Sequence, residues 1–224
     1  MDKNKRRALI TGVTGQDGIL LAELLINKGY EVIGFGRRES LLARRDTIPH
    51  FAHVTLAFGD LADSVDIAAA IQEHQPDEVY NLAAQSAPGL SWQKSVETGV
   101  ATGLGAHRLY EAVRRFKKDT RIYQASSSEM FGEVRTSPQN ESTPFRPLSP
   151  YAVAKLYAHE MARIYRNSYG MFITCGILFN HESIYRGLNF LSQKVTYGAA
   201  CVSLGILTSS LRNEEGEPIV QGGK

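Results

Sequence analysis

The sequence predicts an α/β fold: a doubly wound parallel sheet with helices on both faces, plus part of a smaller C-terminal domain. Three observations lead there. Short apolar runs alternate with segments of helical periodicity, the pattern of parallel strands joined by crossover helices. A glycine-rich loop follows the first apolar run at once and opens a helix. Length and composition agree, since 224 residues with 43% hydrophobic and 21% charged side chains suit one globular domain and a piece of a second.

RALIT (7–11) reads as the first strand, and GILLAELLINKG (18–29) as an apolar-periodic helix closed by Gly29. EVIGFG (31–36) and HVTLAF (53–58) are the second and third strands. Between them, RRESLLARRDTIPHFA (37–52) carries four arginines and breaks the pattern, so it is read as a basic loop. A helix covers about 63–74, then the strand DEVYNLA (77–83), a longer helix over about 95–117 and the strand RIYQAS (121–126). Residues 132–150 are rich in Pro, Ser and Thr and make a second long loop. A helix runs from near Pro150 to about Ser168, and FITCGILF (172–179) is a further buried strand. Beyond Leu204 the periodic signal fades, and TSSLRNEEGEPIVQGGK reads as a hairpin with no closing core element. The expected division is a sheet domain over 1–180 and an incomplete substrate-binding portion over 181–224.

A net charge of +2 gives no reason to expect nucleic acid or an anionic membrane as partner. Cys175 and Cys201 have neither metal-site spacing nor disulfide-framework density, so they are expected to pack as small hydrophobes in a reducing compartment, with no metal bound. The basic N-terminus is followed by an apolar run too short for a secretory signal, and no window reaches the length of a membrane span. The expected location is the cytoplasm.

TGVTGQDG sets Gly12, Gly15 and Gly18 between the first strand and the first helix. Glycines there permit a tight turn, close approach of backbone to a pyrophosphate, and close helix–strand packing; the helix N-terminus then offers free N–H groups. The loop Gly12, Thr14, Gly15, Gln16, Asp17 and Gly18 is therefore the candidate dinucleotide cradle. At the end of the second strand a carboxylate would favour NAD, but Arg37 and Arg38 stand there, and guanidinium forks suit the 2′-phosphate of NADP. Glu39 keeps a solvated basic turn as the alternative. Asp60 and Leu61, after the third strand, are candidates for the adenine end. In NLAAQS (81–86) the small residues Ala83 and Ala84 let backbone approach the cofactor.

SPYAVAKLYAHE places Tyr151 and Lys155 one turn apart on one helix face. A phenol titrates near about 10, too high for a base at neutral pH, but a nearby ammonium favours phenolate. The lysine can also hold a ribose. The helix follows a strand end carrying Ser126, Ser127, Ser128 and Glu129, so the pair reads as catalytic.

TGxxGxxG, the strand-end serine and YxxxK together resemble the extended short-chain dehydrogenase/reductase superfamily, whose sheet is of the Rossmann type. More narrowly, TGVTGQDG, YNLAAQS, YQASSSEMFG, SPYAVAKLYAH and GILFNHES are similar to the GDP-mannose 4,6-dehydratases, over nearly all of residues 6–205. The resemblance implies a NADP-dependent hydro-lyase acting on a GDP-sugar. Tyr151 would take the proton of the sugar C4 hydroxyl as the C4 hydride leaves. Glu129, with Ser127, would remove the C5 proton and assist loss of the C6 hydroxyl as water, before hydride returns to C6. The resemblance also puts Leu82, Ala83, Ala84, Gln85, Ser86, His181 and Arg186 at the cofactor. Ser86, Glu129, Tyr151 and Asn180 would meet the nucleotide-sugar. It implies a homo-oligomer, dimer or tetramer, with 37–52 a candidate for reaching a neighbour's cofactor. A dehydratase or epimerase for another nucleotide-sugar, such as a GDP-heptose, and a non-catalytic NADP-binding fragment are the alternatives.

Departures from the family pattern are Ser127 in place of threonine, Ile184 and Tyr185 within HESIYRG, and Glu97 where a cofactor-pocket tyrosine is usual. Family chains continue past the equivalent of Lys224, so a fragment or truncated product is expected.

Overall fold

The computed structural model describes residues 5–84, 89–187, 190–212 and 217–221, without the side chain of Leu90. The chain divides into two compact units, Met1–Asn180 and His181–Lys224.

The first unit is built on six strands: β1 (Arg7–Thr11), β2 (Glu31–Gly36), β3 (Val54–Phe58), β4 (Glu78–Asn81), β5 (Arg121–Ser127) and β6 (Ile173–Leu178). Every pairing is parallel and the order is β3-β2-β1-β4-β5-β6. That order reverses between β1 and β4, which opens a crevice at the carboxyl ends of those two strands. Six of the six expected strands form, because each is a short β-branched or apolar run with a crossover helix to cover it.

Register explains the core. Ile33, Leu9, Val79, Ile122 and Ile173 are aligned partners and form one apolar row across the sheet. All five are at most 2% exposed, and each contributes about 1.5–3 kcal/mol by leaving water. They share a core with Ile67, Ile71, Leu109, Val113, Ala158 and Ala162 of the helices α3 (Ser64–His74), α5 (Gly105–Phe116) and α6 (Pro150–Tyr169). The alternating residues Ala8, Ile10 and Val32, also buried, point to the other face. There α1 (Gln16–Asn27) packs along β1 and β2 through Ile19, Ala22 and Leu25.

Residues 37–52 are not a loop, as the four arginines suggested. They form α2 (Arg38–Arg45) and a 3-10 turn, Pro49–His53. RESLLARR consists mostly of good helix formers, and one buried leucine, Leu41, anchors it against the domain, helped by Ile48 and Phe51. The long helix over 95–117 is also composite: α4 (Ser95–Thr98), a π-helical stretch Gly99–Leu104, then α5. Within that stretch Gly103 meets α6, where a Cβ would lie 3.3 Å from Tyr157 Cδ1 and 3.4 Å from the Ala154 carbonyl oxygen.

The loop 132–150 is tied at its base. Arg146 N–H donates to the Met130 carbonyl (3.0 Å) and Glu133 N–H to the Arg146 carbonyl (3.1 Å). Gly132 makes this possible with φ of 52°, since a Cβ there would fall 1.8 Å from the Arg146 carbonyl oxygen.

In the second unit α7 (Leu191–Ser203) was not expected from the sequence. The expected hairpin is paired by two antiparallel bridges, Thr208 with Gln221 and Arg212 with Pro218. Ser209 Oγ also accepts from Val220 N–H at 3.1 Å.

Candidate active site

The crevice is lined by two loop starts that touch. Gly12 leaves β1 with φ of 71°, and a Cβ on it would sit 2.8 Å from the Ala83 nitrogen beyond β4. Gly18 is tighter: a Cβ would lie 2.3 Å from the Gly12 carbonyl oxygen, so α1 is drawn against the loop. Gly15 caps α1 without a side-chain bond, and its own N–H is turned back to the Gly12 carbonyl at 3.0 Å. The first-turn N–H groups of α1 have no intrahelical acceptor and form the positive end of the helix dipole. The result is a cradle walled by backbone, closed to any side chain at Gly12 or Gly18.

Two residues further along the strands than the apolar row lies a second aligned row: Phe35, Thr11, Asn81, Gln124 and Cys175. Here the sheet turns polar while staying buried, with Thr11, Asn81 and Gln124 at most 1% exposed. Burial of such groups is costly unless each is bonded. Thr11 Oγ1 accepts from Ala83 N–H (3.1 Å) and donates to Asn81 Oδ1 (2.6 Å). Asn81 Nδ2 donates to Gln124 Oε1 at 2.7 Å, and Tyr110 from α5 donates to the same oxygen at 2.7 Å. Gln124 Nε2 donates to the Ala125 carbonyl at 2.9 Å.

That carbonyl also receives Lys155 Nζ at 2.8 Å. Ser149 caps α6 by accepting from Ala152 N–H (3.1 Å), and Pro150 occupies the first helical position. Tyr151 and Lys155 thereby stand on the helix's first turns, both buried, with Nζ 5.8 Å from the centre of the Tyr151 ring. Burial pushes the Lys155 ammonium down to about 8, while the Asp17 carboxylate pulls the other way. One turn on, His159 Nδ1 lies 3.0 Å from Ser126 Oγ, so successive turns of α6 grip Ala125 and Ser126. The next residue, Ser127, accepts from Glu129 N–H at 3.2 Å and shapes the 3-10 turn Ser128–Met130, leaving the Glu129 carboxylate exposed.

Tyr151, Lys155, Ser127 and Glu129 thus come from one helix start and the strand end it covers. Residues 9–215 match the family model described as GDP-mannose 4,6 dehydratase. The chain belongs to the GDP-mannose 4,6-dehydratase family. It is 49% identical over 211 residues to the GDP-mannose 4,6-dehydratase of Vibrio cholerae, covering 90% of this chain and 57% of that protein. Against the human GDP-mannose 4,6 dehydratase it is 44% identical over 218 residues, covering 92% and 58%. The chain therefore spans about 57% of the length of the curated relatives it matches. Among solved structures, UDP-glucose 4-epimerase of Thermus thermophilus in complex with NAD superposes with a TM-score of 0.75 at 27% identity, covering 89% of this chain and 63% of that one. DesIV, a dTDP-glucose 4,6-dehydratase of Streptomyces venezuelae, shares the fold with a TM-score of 0.74 at 24% identity, covering 89% and 62%.

The other dehydratase-like positions are distributed as follows. Arg37 immediately precedes α2, and the Arg38 guanidinium lies 3.9 Å above the Phe58 ring at the end of β3. Asp60 Oδ1 accepts from Ala62 N–H at 2.9 Å, and Leu61 is buried against Gly105 at the start of α5. Leu82, Ala83 and Ala84 follow β4, whereas Gln85 and Ser86 lie outside the described residues. Asn180 ends the first unit, exposed. His181 and Arg186 belong to the second unit, where Arg186 pairs with Glu182 (3.4 Å) and stacks 3.7 Å from the Phe190 ring centre. Among the described residues no group of His, Cys, Asp or Glu has the arrangement of a metal site, and no helix is long and apolar enough to cross a membrane.

Sequence reasoning missed Thr11, Asn81, Gln124, Tyr110 and His159. A signal existed for three of them: a polar residue two positions after the central apolar one in RALIT, DEVYN and RIYQ.

Proposed function

We propose that the protein to which this chain belongs is a nucleotide-sugar 4,6-dehydratase that converts GDP-mannose to GDP-4-keto-6-deoxymannose. The observation that carries this reading is the grouping of Tyr151, Lys155, Ser127 and Glu129 at the end of β5, beside the crevice between β1 and β4. A reductase needs only the tyrosine and lysine; an acid next to the serine is what elimination adds.

The residues present fit a nicotinamide dinucleotide. A Cβ at Gly12 or Gly18 would fill the cradle, and the α1 N-terminus faces it with backbone N–H groups suited to a pyrophosphate. Gly12, Thr14, Gly15, Gln16, Asp17 and Gly18 would hold the diphosphate and Lys155 the nicotinamide ribose. NADP is favoured over NAD because Arg37 and Arg38 are exposed at the end of β2, where a 2′-phosphate would lie. The bound cofactor would accept the sugar's C4 hydride and return it at C6, so the net change is loss of one water. Tyr151 takes the C4 hydroxyl proton, helped by the ammonium of Lys155. The C4 ketone acidifies C5–H; Glu129 takes that proton, and with Ser127 delivers a proton to the departing C6 hydroxyl.

Incubating the complete protein with GDP-mannose and NADP should give a 4-keto-6-deoxy sugar nucleotide by NMR. Glu129→Gln keeps the shape but not the base. It should stall after C4 oxidation, accumulating bound NADPH, with turnover down about 10²–10⁴-fold. Solvent deuterium entering C5 at the wild-type rate in that variant would sink the assignment of Glu129.

A further inference from the structure

The buried polar row is a chain with a fixed direction. At one end Ala83 N–H can only donate; at the other the Ala125 carbonyl can only accept. These two ends orient every group between them. Thr11 must donate its hydroxyl to Asn81, Asn81 must present Nδ2 to Gln124, and Gln124 must present Oε1 to Asn81 and Tyr110 and Nε2 to Ala125. The single Tyr110 proton goes to Gln124 Oε1 at the shorter distance, and the Ala158 carbonyl on α6 shares it from 3.3 Å. None of Thr11, Tyr110 and Gln124 is more than 1% exposed, so water does not substitute for a lost partner.

The chain ends on the atom that holds Lys155. The β4–β5 ladder stops at Asn81 with Gln124, and the next carbonyl, Ala125, takes two side-chain donors, Gln124 Nε2 and Lys155 Nζ. Lys155 is 3% exposed, so where its ammonium sits depends on that carbonyl. We infer that Gln124 is a positioning residue for Lys155: its amide fixes the Ala125 carbonyl and links the lysine to the crevice backbone at Ala83. The cradle and the candidate catalytic lysine are then adjusted together, since a shift of Ala83 is passed through Thr11 and Asn81 to Gln124. The inference rests on the proposed role of Lys155 as the residue holding the cofactor ribose.

The test uses two side chains of similar size. In Gln124→Glu the protonated acid can reproduce every bond, its O–H donating to Ala125 and its C=O accepting from Asn81 and Tyr110. The ionised form cannot donate. Fluorescence titration with NADPH should give affinity within about twofold of wild type while the introduced carboxyl is protonated, falling about tenfold as it ionises. Wild type lacks that carboxyl, so its own pH dependence is the baseline from which the variant's extra loss is read. Gln124→Met, without donor or acceptor, should lose about tenfold at every pH. It should also move the NMR titration midpoint of the Lys155 ε-carbon, read without cofactor, by about half a pH unit or more. If either variant fails to fold, Tyr110→Phe removes one donor to Gln124 and keeps the ring; it should move the same midpoint in the same sense. An unchanged Lys155 midpoint in the folded variants, with any loss of affinity tracking thermal stability alone, would overturn the inference. Failure of the wild-type chain to bind NADPH would count instead against the proposed function, and the Lys155 titration would still decide the positioning.

Discussion

Arg38 shows how one residue can serve two neighbours. Its guanidinium is spread over the Phe58 ring, which leaves the edge of the fork available to an anion while the face is occupied. Arg37 stands just before α2, and the two together are the expected discriminator between cofactors. Replacing both with glutamine should weaken NADPH binding at least tenfold, since each charged hydrogen bond lost is worth roughly 1.5–3 kcal/mol. NADH binding should change by no more than a few-fold. Parallel titrations decide it, and equal losses for the two cofactors would remove the arginines from phosphate recognition. At the same scale Ser127 and Glu129 are tied together: the serine oxygen accepts from Glu129 N–H and keeps its own O–H to donate, and Glu129 is exposed. An exposed acid at the strand end that α6 covers is poised to meet substrate rather than to hold the fold.

Among the elements, the strands and the glycine loop were legible because local chemistry determines them. RALIT and EVIGFG are bounded by glycine, and the strand–glycine–helix context admits few alternatives. Helix α2 was not legible, because a single buried leucine in an arginine-rich stretch carries no periodic signal. Helix α7 lacks a clear apolar period for a related reason, with only Cys201 buried among its thirteen residues. The acceptor for Lys155 was out of reach altogether, since it depends on which carbonyl of β5 lies under α6. The glycine loop also makes a quantitative expectation. A Cβ at Gly18 would meet backbone at 2.3 Å, whereas at Gly170 nothing lies within 4 Å and only φ of 65° opposes a side chain. Gly170→Ala should cost about 1–2 kcal/mol, the penalty of left-handed backbone alone. Gly18→Ala should cost more than that, by forcing α1 away from the loop, and should also abolish cofactor binding. Urea denaturation of the two variants, with an NADPH titration, checks both; equal costs would mean that α1 shifts freely.

Across the whole molecule the buried lysine couples stability to pH. With Lys155 near 8 when folded and 10.5 when unfolded, both states hold the proton below pH 8, and the cost of burying the charge is then borne in full. Between those values the folded chain has released its proton and the unfolded chain still binds it, so this contribution to stability rises with pH, by about 3 kcal/mol at completion. Unfolding free energies at pH 8 and pH 10 should diverge between the wild type and Lys155→Met, in which the gain is absent. Parallel curves would show that Lys155 does not titrate in this window. The tie at the base of the 132–150 loop has a different reach. Because Met130, Glu133 and Arg146 close that loop before α6 begins, a cut inside it releases no tension toward Tyr151. Trypsin acting at the exposed Arg135 should leave two fragments that stay together under native conditions, with unchanged NADPH affinity, and that separate only in denaturant. Such a loop is an address where lineages can lengthen, shorten or decorate the rim of the site while the machinery beneath it keeps its alignment.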